Sequence, residues 1–144
     1  MAPSVHAMYE VETVPDPDLI FLRVHKSQID PDGAVIPRAF EEHGGGMSTN
    51  WAKYATPEST RQQVIKSQKE PKNYGVLSFV VGEVRQIEDT TVKHTPLPDN
   101  QSHTDVTGPG PKPQKPEKLS VYQTMVRAKL AGICNWCLHP AEGL

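Results

Sequence analysis

The sequence has few cysteines and little net charge, and each shortage excludes a class of protein. Its two cysteines, Cys134 and Cys137, lie close together near the C-terminal end of the 144 residues. They cannot cross-link distant parts of the chain, so a disulfide framework is excluded and a reducing, cytoplasmic setting is expected. The formal net charge of −2 gives the whole molecule no attraction to nucleic acid or to an anionic membrane.

Long hydrophobic runs are also missing from the sequence. No stretch of about 18 apolar residues occurs, so no segment predicts a membrane-spanning helix. Residues 1–10 lack the basic start and apolar core of a secretory signal, and we expect no such signal. With 36% hydrophobic residues and 14 prolines, the chain predicts one domain with a modest core and many loops, in which extended connectors join the ordered elements.

The run at 74–84, Tyr-Gly-Val-Leu-Ser-Phe-Val-Val-Gly-Glu-Val, is the densest in β-branched and aromatic residues. Because its apolar residues are nearly continuous, it predicts a central strand buried on both faces. Further strands are predicted at 19–25, 90–94 and 103–107. A short helix is predicted at 57–69 and a C-terminal helix at 117–136. The sequence therefore predicts an α+β fold, a small, mostly antiparallel sheet with both helices packed on it.

Composition divides the chain into four predicted segments. Residues 1–18 are acidic, contain prolines and predict a flexible N-terminal arm. Residues 19–107 form the sheet-containing core, 108–117 a proline-rich connector in the polyproline II conformation, and 118–139 the C-terminal helix that docks on the core. Within the core, three consecutive glycines at 44–46 predict a segment that is either mobile or held for a reason.

Arg23 lies on the first predicted strand, and a Ser-Thr pair begins at Ser48 after an aromatic residue. This order resembles the opening of mono-ADP-ribosyltransferases, over roughly a third of the chain. The resemblance implies that Arg23 binds the phosphates of NAD bidentately, that Ser48 supports the nicotinamide pocket, and that Glu83 or Glu88 is the catalytic acid. The family's acidic motif is only approximated by Gln-Ile-Glu ending at Glu88, and the chain is short for the family.

Histidines supply a second hypothesis about chemistry. A rigid Pro-Leu-Pro-Asp-Asn turn at 96–100 presents Asp99 and Asn100 shortly before His103. Imidazole titrates near neutral pH and serves as a general acid or base. His103 and His25 are therefore predicted as a two-histidine centre of the ribonuclease or phosphotransferase type, with Asp99 and Asn100 as binding residues. The alternative is that these are turn residues whose side chains bond to their own backbone.

Cys134 and Cys137, with His139 two positions later, form half of a zinc site. The sequence has no second cysteine pair, so a closed site would need other histidines or a partner chain. The alternative, which we favour, is that the cysteines bind no metal and that one packs as a small apolar residue. We accordingly predict no metal and no resident cofactor, with zinc and NAD as the alternatives.

Basic residues around the connector suggest two kinds of partner. The lysine-flanked prolines are typical of an SH3-type ligand or of a small basic patch, and the last helix adds a weak nucleic-acid option. The residues concerned are Lys112, Lys115, Lys118, Arg127 and Lys129. Over most of its length the chain also resembles short bacterial proteins of unknown activity, which implies no mechanism.

Two functions follow from these patterns. The one we favour from the sequence is a small cytosolic binding or accessory protein that acts through protein–protein interaction. The alternative is a small enzyme acting on a nucleotide or nucleic-acid substrate, in which Arg23, His25, Ser48 and His103 line one cleft. The enzyme hypothesis requires these side chains to converge, and it fails if Arg23 and His103 lie on opposite faces of the sheet.

Overall fold

The computed structural model describes residues 9–113 and 119–141. Six strands form one antiparallel sheet in the order β4-β5-β2-β1-β3-β6, which confirms the predicted α+β fold. The strands are β1 (Leu19–His25), β2 (Met47–Trp51), β3 (Tyr74–Val80), β4 (Thr91–His94), β5 (His103–Thr107) and β6 (Asn135–Leu138). The α-helices are α1 (Pro57–Gln62), α2 (Val81–Arg85) and α3 (Val121–Ile133). Across the described ranges, no helix is long and apolar enough to cross a membrane.

The two faces of the sheet have different roles. Alternation along β1 places Ile20 and Leu22 on one face and Phe21 and Arg23 on the other. The first face carries the main hydrophobic core, which α3 covers through Val126 and Leu130, among others. The opposite face is more polar, and α1 with the short 3-10 helix after it covers part of it. Arg23, Ser48 and Asn50 thereby lie together on the face opposite the core.

The predicted strand at 74–84 is shorter in the structure, and its last part is helical. β3 is buried on both faces, as expected, but it lies between β1 and β6 rather than at the centre of the sheet. Val81 and Val84 are both fully buried on α2, a helical spacing that the continuous apolar run conceals. The Val81 N–H donates to the Asp18 carbonyl at 2.9 Å. The residue just before β1 therefore provides the backbone partner at the point where β3 ends.

Residues 9–18 lie against the core, in contrast to the flexible arm predicted for 1–18. Val14 is 1% exposed, and its carbonyl accepts a hydrogen bond of 2.6 Å from Arg85 Nη1. Burying one valine side chain contributes about 1.5–3 kcal/mol, which helps to hold this segment in place although four of its ten residues are acidic. Residues 1–8 of the predicted arm lie outside the described residues.

The predicted helix at 57–69 begins where expected and changes type before it ends. After α1 the chain continues as a 3-10 helix, Gln63–Ser67, and stops at Gln68, whose φ of +61° is left-handed. At the other end the Thr56 side chain accepts from the Ser59 N–H, and the Ser59 hydroxyl accepts from the Thr56 N–H. Ser59 thus completes a capping box in a position where Glu or Gln is usual.

The C-terminal helix is also shorter than predicted, because the chain forms an edge strand after it. Cys134 is extended, with φ −75° and ψ 153°, and β6 then pairs with the outer side of β3, with Trp136 opposite Leu77. An uncovered β3 edge would expose unpaired backbone groups. The pairing that covers this edge joins residues far apart in the sequence, so the helical spacing before Trp136 does not predict it.

Arg127 lies inside the fold, although the sequence grouped it with outward basic residues. It is 3% exposed and sits on the buried side of α3. Its guanidinium holds the start of the predicted connector by donating to three backbone carbonyls at 2.8, 2.8 and 3.0 Å, those of Pro109, Gly110 and Pro111. Arg127 is therefore not available for the nucleic-acid contact that the last helix suggested, and residues 114–118 lie outside the described part of the chain.

Candidate functional site

A polar cleft lies on the sheet face opposite the main core. It consists of two adjoining cavities of about 820 and 350 Å³, the size range of small-molecule sites. The residues that line both cavities are Arg23, Ser48, Gln63 and Ser67. Polar residues from β1, β2 and the 3-10 helix thus form the wall that joins the two cavities.

Arg23 is a half-buried cation whose partners are uncharged. Its Nη1 donates to the Thr60 carbonyl and to Gln63 Oε1, both at 3.1 Å. Within residues 9–113 and 119–141, no carboxylate lies within 4.0 Å of its guanidinium. Burial lowers the pKa of Arg23 from its usual value, because desolvation disfavours the charged form, but arginine still stays protonated at neutral pH.

The register of two strands places Arg23 and Ser48 on the same face of the sheet. Phe21 and Asn50 are Cα partners at the end of the antiparallel β1–β2 pairing. Arg23 and Ser48 lie two residues beyond this pair, one on each strand, and both line the same two cavities. The alternation that sends the neighbouring apolar residues into the core therefore brings the guanidinium and the hydroxyl to the cleft.

Asn50 connects the sheet to the elements that border the cleft. Its Nδ2 donates to Thr60 Oγ1 at 3.1 Å and to Gln63 Oε1 at 2.9 Å, and its Oδ1 accepts from Asn100 Nδ2 at 3.0 Å. Asn50 is 3% exposed, so these bonds form away from water. Because Gln63 Oε1 also accepts from Arg23, the network fixes the guanidinium.

Ser48 and His103 form a hydrogen-bonded pair in this cleft. His103 Nε2 lies 3.1 Å from Ser48 Oγ, while its Nδ1 lies 2.9 Å from the Thr95 carbonyl oxygen. Nδ1 also lies 3.0 Å from Thr95 Oγ1, which can donate or accept. Because the carbonyl oxygen only accepts, we assign the hydrogen of the neutral ring to Nδ1, and Nε2 then accepts from the Ser48 hydroxyl. The Asp105 carboxylate lies 3.8 Å from Nε2 and faces the same nitrogen when the ring is protonated.

The three glycines at 44–46 make a tight turn that leads into β2. Gly44 and Gly45 have φ values of +64° and +110°, and the His43 N–H donates to the Gly46 carbonyl at 2.8 Å. A Cβ at Gly46 would lie 2.7 Å from the Cβ of Asp105. The glycines are therefore required here. Gly44 and Gly45 allow the turn, and Gly46 leaves room for the carboxylate of Asp105 next to His103.

The structure brings three of the four predicted catalytic residues to one cavity. Arg23, Ser48 and His103 line the smaller cavity, whereas His25 lines the larger one. His25 Nδ1 accepts from the Ser27 N–H at 3.1 Å and caps a short 3-10 helix. Arg23 and His103 lie on the same face of the sheet, as the enzyme hypothesis requires. The two-histidine centre stays a prediction, since the two rings line different cavities.

The predicted binding residues Asp99 and Asn100 also line the smaller cavity. Asn100 Nδ2 donates to Asn50 Oδ1, so this side chain is fixed as part of the cavity wall. Asp99 is exposed and lies 3.2 Å from Lys66 Nζ. The hydrogen bond from Lys66 is the main reason that the pKa of Asp99 is lowered. This pairing neutralises a carboxylate that would otherwise repel an anion.

The acids that the transferase resemblance implies are not part of the cleft. Glu83 lies on α2 and Glu88 follows it, both exposed, and neither lines a cavity described here. The carboxylates that do line the larger cavity are Glu41 and Glu70. The sequence also missed Gln63. No local pattern in the sequence marks Gln63 as functional. It reaches Arg23 only because α1 and the 3-10 helix after it fold over β1.

The predicted cysteine and histidine cluster is not gathered around a common point. Cys134 is half-buried, which raises the pKa of its thiol, and Cys137 is exposed. His139 stacks on Trp136 with ring centroids 4.5 Å apart. In the described ranges, no group of three or more His, Cys, Asp and Glu side chains is arranged to hold a metal ion.

Comparison of the chain with protein-family models, curated proteins and solved structures finds no match. The resemblances to mono-ADP-ribosyltransferases and to short bacterial proteins therefore stay hypotheses from the sequence.

Proposed function

We propose that the protein binds a phosphorylated ligand of the nucleotide class in this cleft, with Arg23 as the residue that binds phosphate. The observation that carries the proposal is the half-buried guanidinium with only uncharged partners. Such a charge gains most from an anionic partner, and a guanidinium matches phosphate oxygens in a bidentate fashion. Nη1 is engaged, and the other nitrogens have donors left for a ligand.

The distribution of acids favours a phosphate position at the shared wall of the two cavities. Glu41 and Glu70 line only the larger cavity, and Glu70 is paired there with Lys72 at 3.2 Å. In the smaller cavity Asp99 is paired with Lys66. The four residues of the shared wall include a cation and two hydroxyls and no carboxylate, and Asp105 lies opposite Ser48 on the neighbouring strand.

The larger cavity offers a surface for a base. His25 and Tyr74 line it, with ring centroids 5.1 Å apart in an edge-to-face arrangement. Aromatic rings provide a flat contact surface for a heterocycle. The combination of an aromatic end and a central cation fits a nucleotide better than an inorganic anion, and NAD is one candidate from this class.

Isothermal titration calorimetry with ADP, NAD, pyrophosphate and adenosine tests the proposal. We expect saturable binding of ADP or NAD, weaker binding of pyrophosphate, and little binding of adenosine, which lacks the phosphate. Arg23→Gln should weaken the ADP affinity by roughly 10- to 100-fold, the equivalent of a charge-assisted hydrogen bond of about 1.5–3 kcal/mol. Lys129→Gln removes an equal charge from an exposed position on α3 and should leave the ADP affinity unchanged.

The proposal fails if Arg23→Gln, still folded by circular dichroism, binds ADP as tightly as the unaltered protein. It also fails if none of the phosphorylated compounds binds at low salt, where screening of the Arg23 charge is weakest.

Protein binding, the function favoured from the sequence, is a second candidate with its own observation. The outer side of α3 exposes Val121 and Tyr122, at 73% and 63%, beside Met125. Adjacent exposed apolar side chains are typical of interaction surfaces. If this candidate is right, affinity capture with Tyr122→Ser should lose a partner that Arg23→Gln retains. Equal recovery with both variants would exclude α3 as the contact surface.

A further inference from the structure

We infer that Ser48 is a nucleophile activated by His103, and that it hydrolyses a carboxylic ester that carries an anionic group. The inference rests on the proposed function in one respect only, the binding of that anionic group by Arg23. The nucleophile itself depends only on the contacts of Ser48, His103 and Thr95.

The hydrogen bonds give each member of this group a distinct role. The Ser48 hydroxyl donates to His103 Nε2 over 3.1 Å, as a nucleophile donates to its general base. Nδ1 lies 2.9 Å from the Thr95 carbonyl oxygen and 3.0 Å from Thr95 Oγ1. Both contacts orient the ring, and the carbonyl, which only accepts, favours the tautomer with the hydrogen on Nδ1. A nucleophile, a base and a third group that orients the base are the parts of a serine–histidine site, whatever the fold. Thr95 is in this respect a positioning residue.

The location of Ser48 also fits a reacting group. It is the one exposed side chain of β2, whose other residues are buried, and it lines both cavities. Arg23 lines the same two cavities from the neighbouring strand. An ester bound through its anionic group at Arg23 therefore lies next to the Ser48 hydroxyl, which defines the substrate class.

The reaction balances without any further component except water. Ser48 Oγ bonds to the ester carbonyl carbon while its proton passes to His103 Nε2. The bond to the leaving oxygen then breaks, and Nε2 gives that proton to the departing alcohol. Water attacks the acyl-serine, gives a proton to Nε2, and releases the carboxylic acid as Ser48 Oγ takes the proton back.

A fluorophosphonate probe tests the nucleophile without knowledge of the natural substrate. Such a probe bonds to an activated serine oxygen and releases fluoride, and tryptic mass spectrometry identifies the labelled residue. We expect one adduct, on Ser48, with labelling at least 10-fold slower in His103→Gln. Ser67 is an internal control, because it lines both cavities and has no histidine within hydrogen-bond distance among the described residues. Equal labelling of Ser48 and Ser67 in the unaltered protein would overturn the inference, even if His103→Gln does not fold.

Two model esters test the substrate class. The 4-nitrophenyl monoester of succinic acid carries a carboxylate, whereas 4-nitrophenyl butyrate is uncharged. We expect kcat/KM to be about 10-fold higher for the charged ester, and Arg23→Gln to remove this preference while Ser48 still reacts with the probe. An equal kcat/KM for both esters would overturn the assigned substrate class. If ADP binds through Arg23 and Ser48 is not labelled, the nucleophile is refuted and the proposed function stands.

Discussion

Replacing Asn50 by alanine should destabilise the protein and loosen the cleft together. Asn50 makes three side-chain hydrogen bonds, two to the region of α1 and one to the turn at Asn100, and it is 3% exposed. A net contribution of about 1 kcal/mol for each bond predicts a loss of about 3 kcal/mol. For a domain of this length, such a loss lowers Tm by roughly 10 °C.

Urea unfolding followed by circular dichroism measures this loss as a lower midpoint at unchanged slope. Asn135→Ala is the matched control, because Asn135 is exposed on β6, and it should change stability by less than about 0.5 kcal/mol. A loss below about 1 kcal/mol for Asn50→Ala, or one equal to that of the control, would refute the role of this network in holding α1 on the sheet.

Two further predictions concern parts of the molecule outside the cleft. Arg127→Met removes the three bonds to carbonyls at 109–111 and should lower the free energy of unfolding in urea by about 3 kcal/mol. Arg127→Lys should lower it by a smaller amount. A Met variant as stable as the original protein would contradict this. The pKa of Glu12 is lowered by hydrogen bonds from Lys53 and Tyr54. Its carboxylate therefore stabilises the fold fully above the pKa of an unfolded glutamate, about 4.3, and this stabilisation is lost as the pH falls through the lower pKa of the folded state. The unaltered protein should therefore lose more Tm between pH 7 and pH 3 than Glu12→Gln does, and identical losses would contradict the assignment.

The elements that local pattern defines well were predicted, and those that depend on distant partners were not. β4 and β5 lie close to their expected positions, and α1 begins at Pro57 because Thr56 caps it. The helical turn at Val81 was hidden in a run that also fits a strand. β6 was missed because the pairing of Trp136 with β3 is a contact between distant parts of the chain.

The candidate site shows the same limit. A family resemblance singled out Arg23 and Ser48, the chemistry of histidine singled out His103, and the structure places all three along one cavity. The pairing of Ser48 with His103 spans 55 positions in sequence and depends on the register of β2 against β5. Gln63 reaches Arg23 only because α1 and the following 3-10 helix fold over the polar face of the sheet. Neither relation has a signature in a single sequence.

The most direct measurement of the central claim is the NMR signal of the arginine side-chain nitrogens during a titration with ADP. Arg23 and Arg127 form a matched pair, since neither has a carboxylate within 4.0 Å in the described ranges and both donate to neutral oxygens. Only Arg23 lines the cleft. We predict that the Nε–H resonance of Arg23 shifts saturably while that of Arg127 stays in place. An Arg23 resonance that does not move when ADP binds would contradict the assignment of this cleft as the phosphate site.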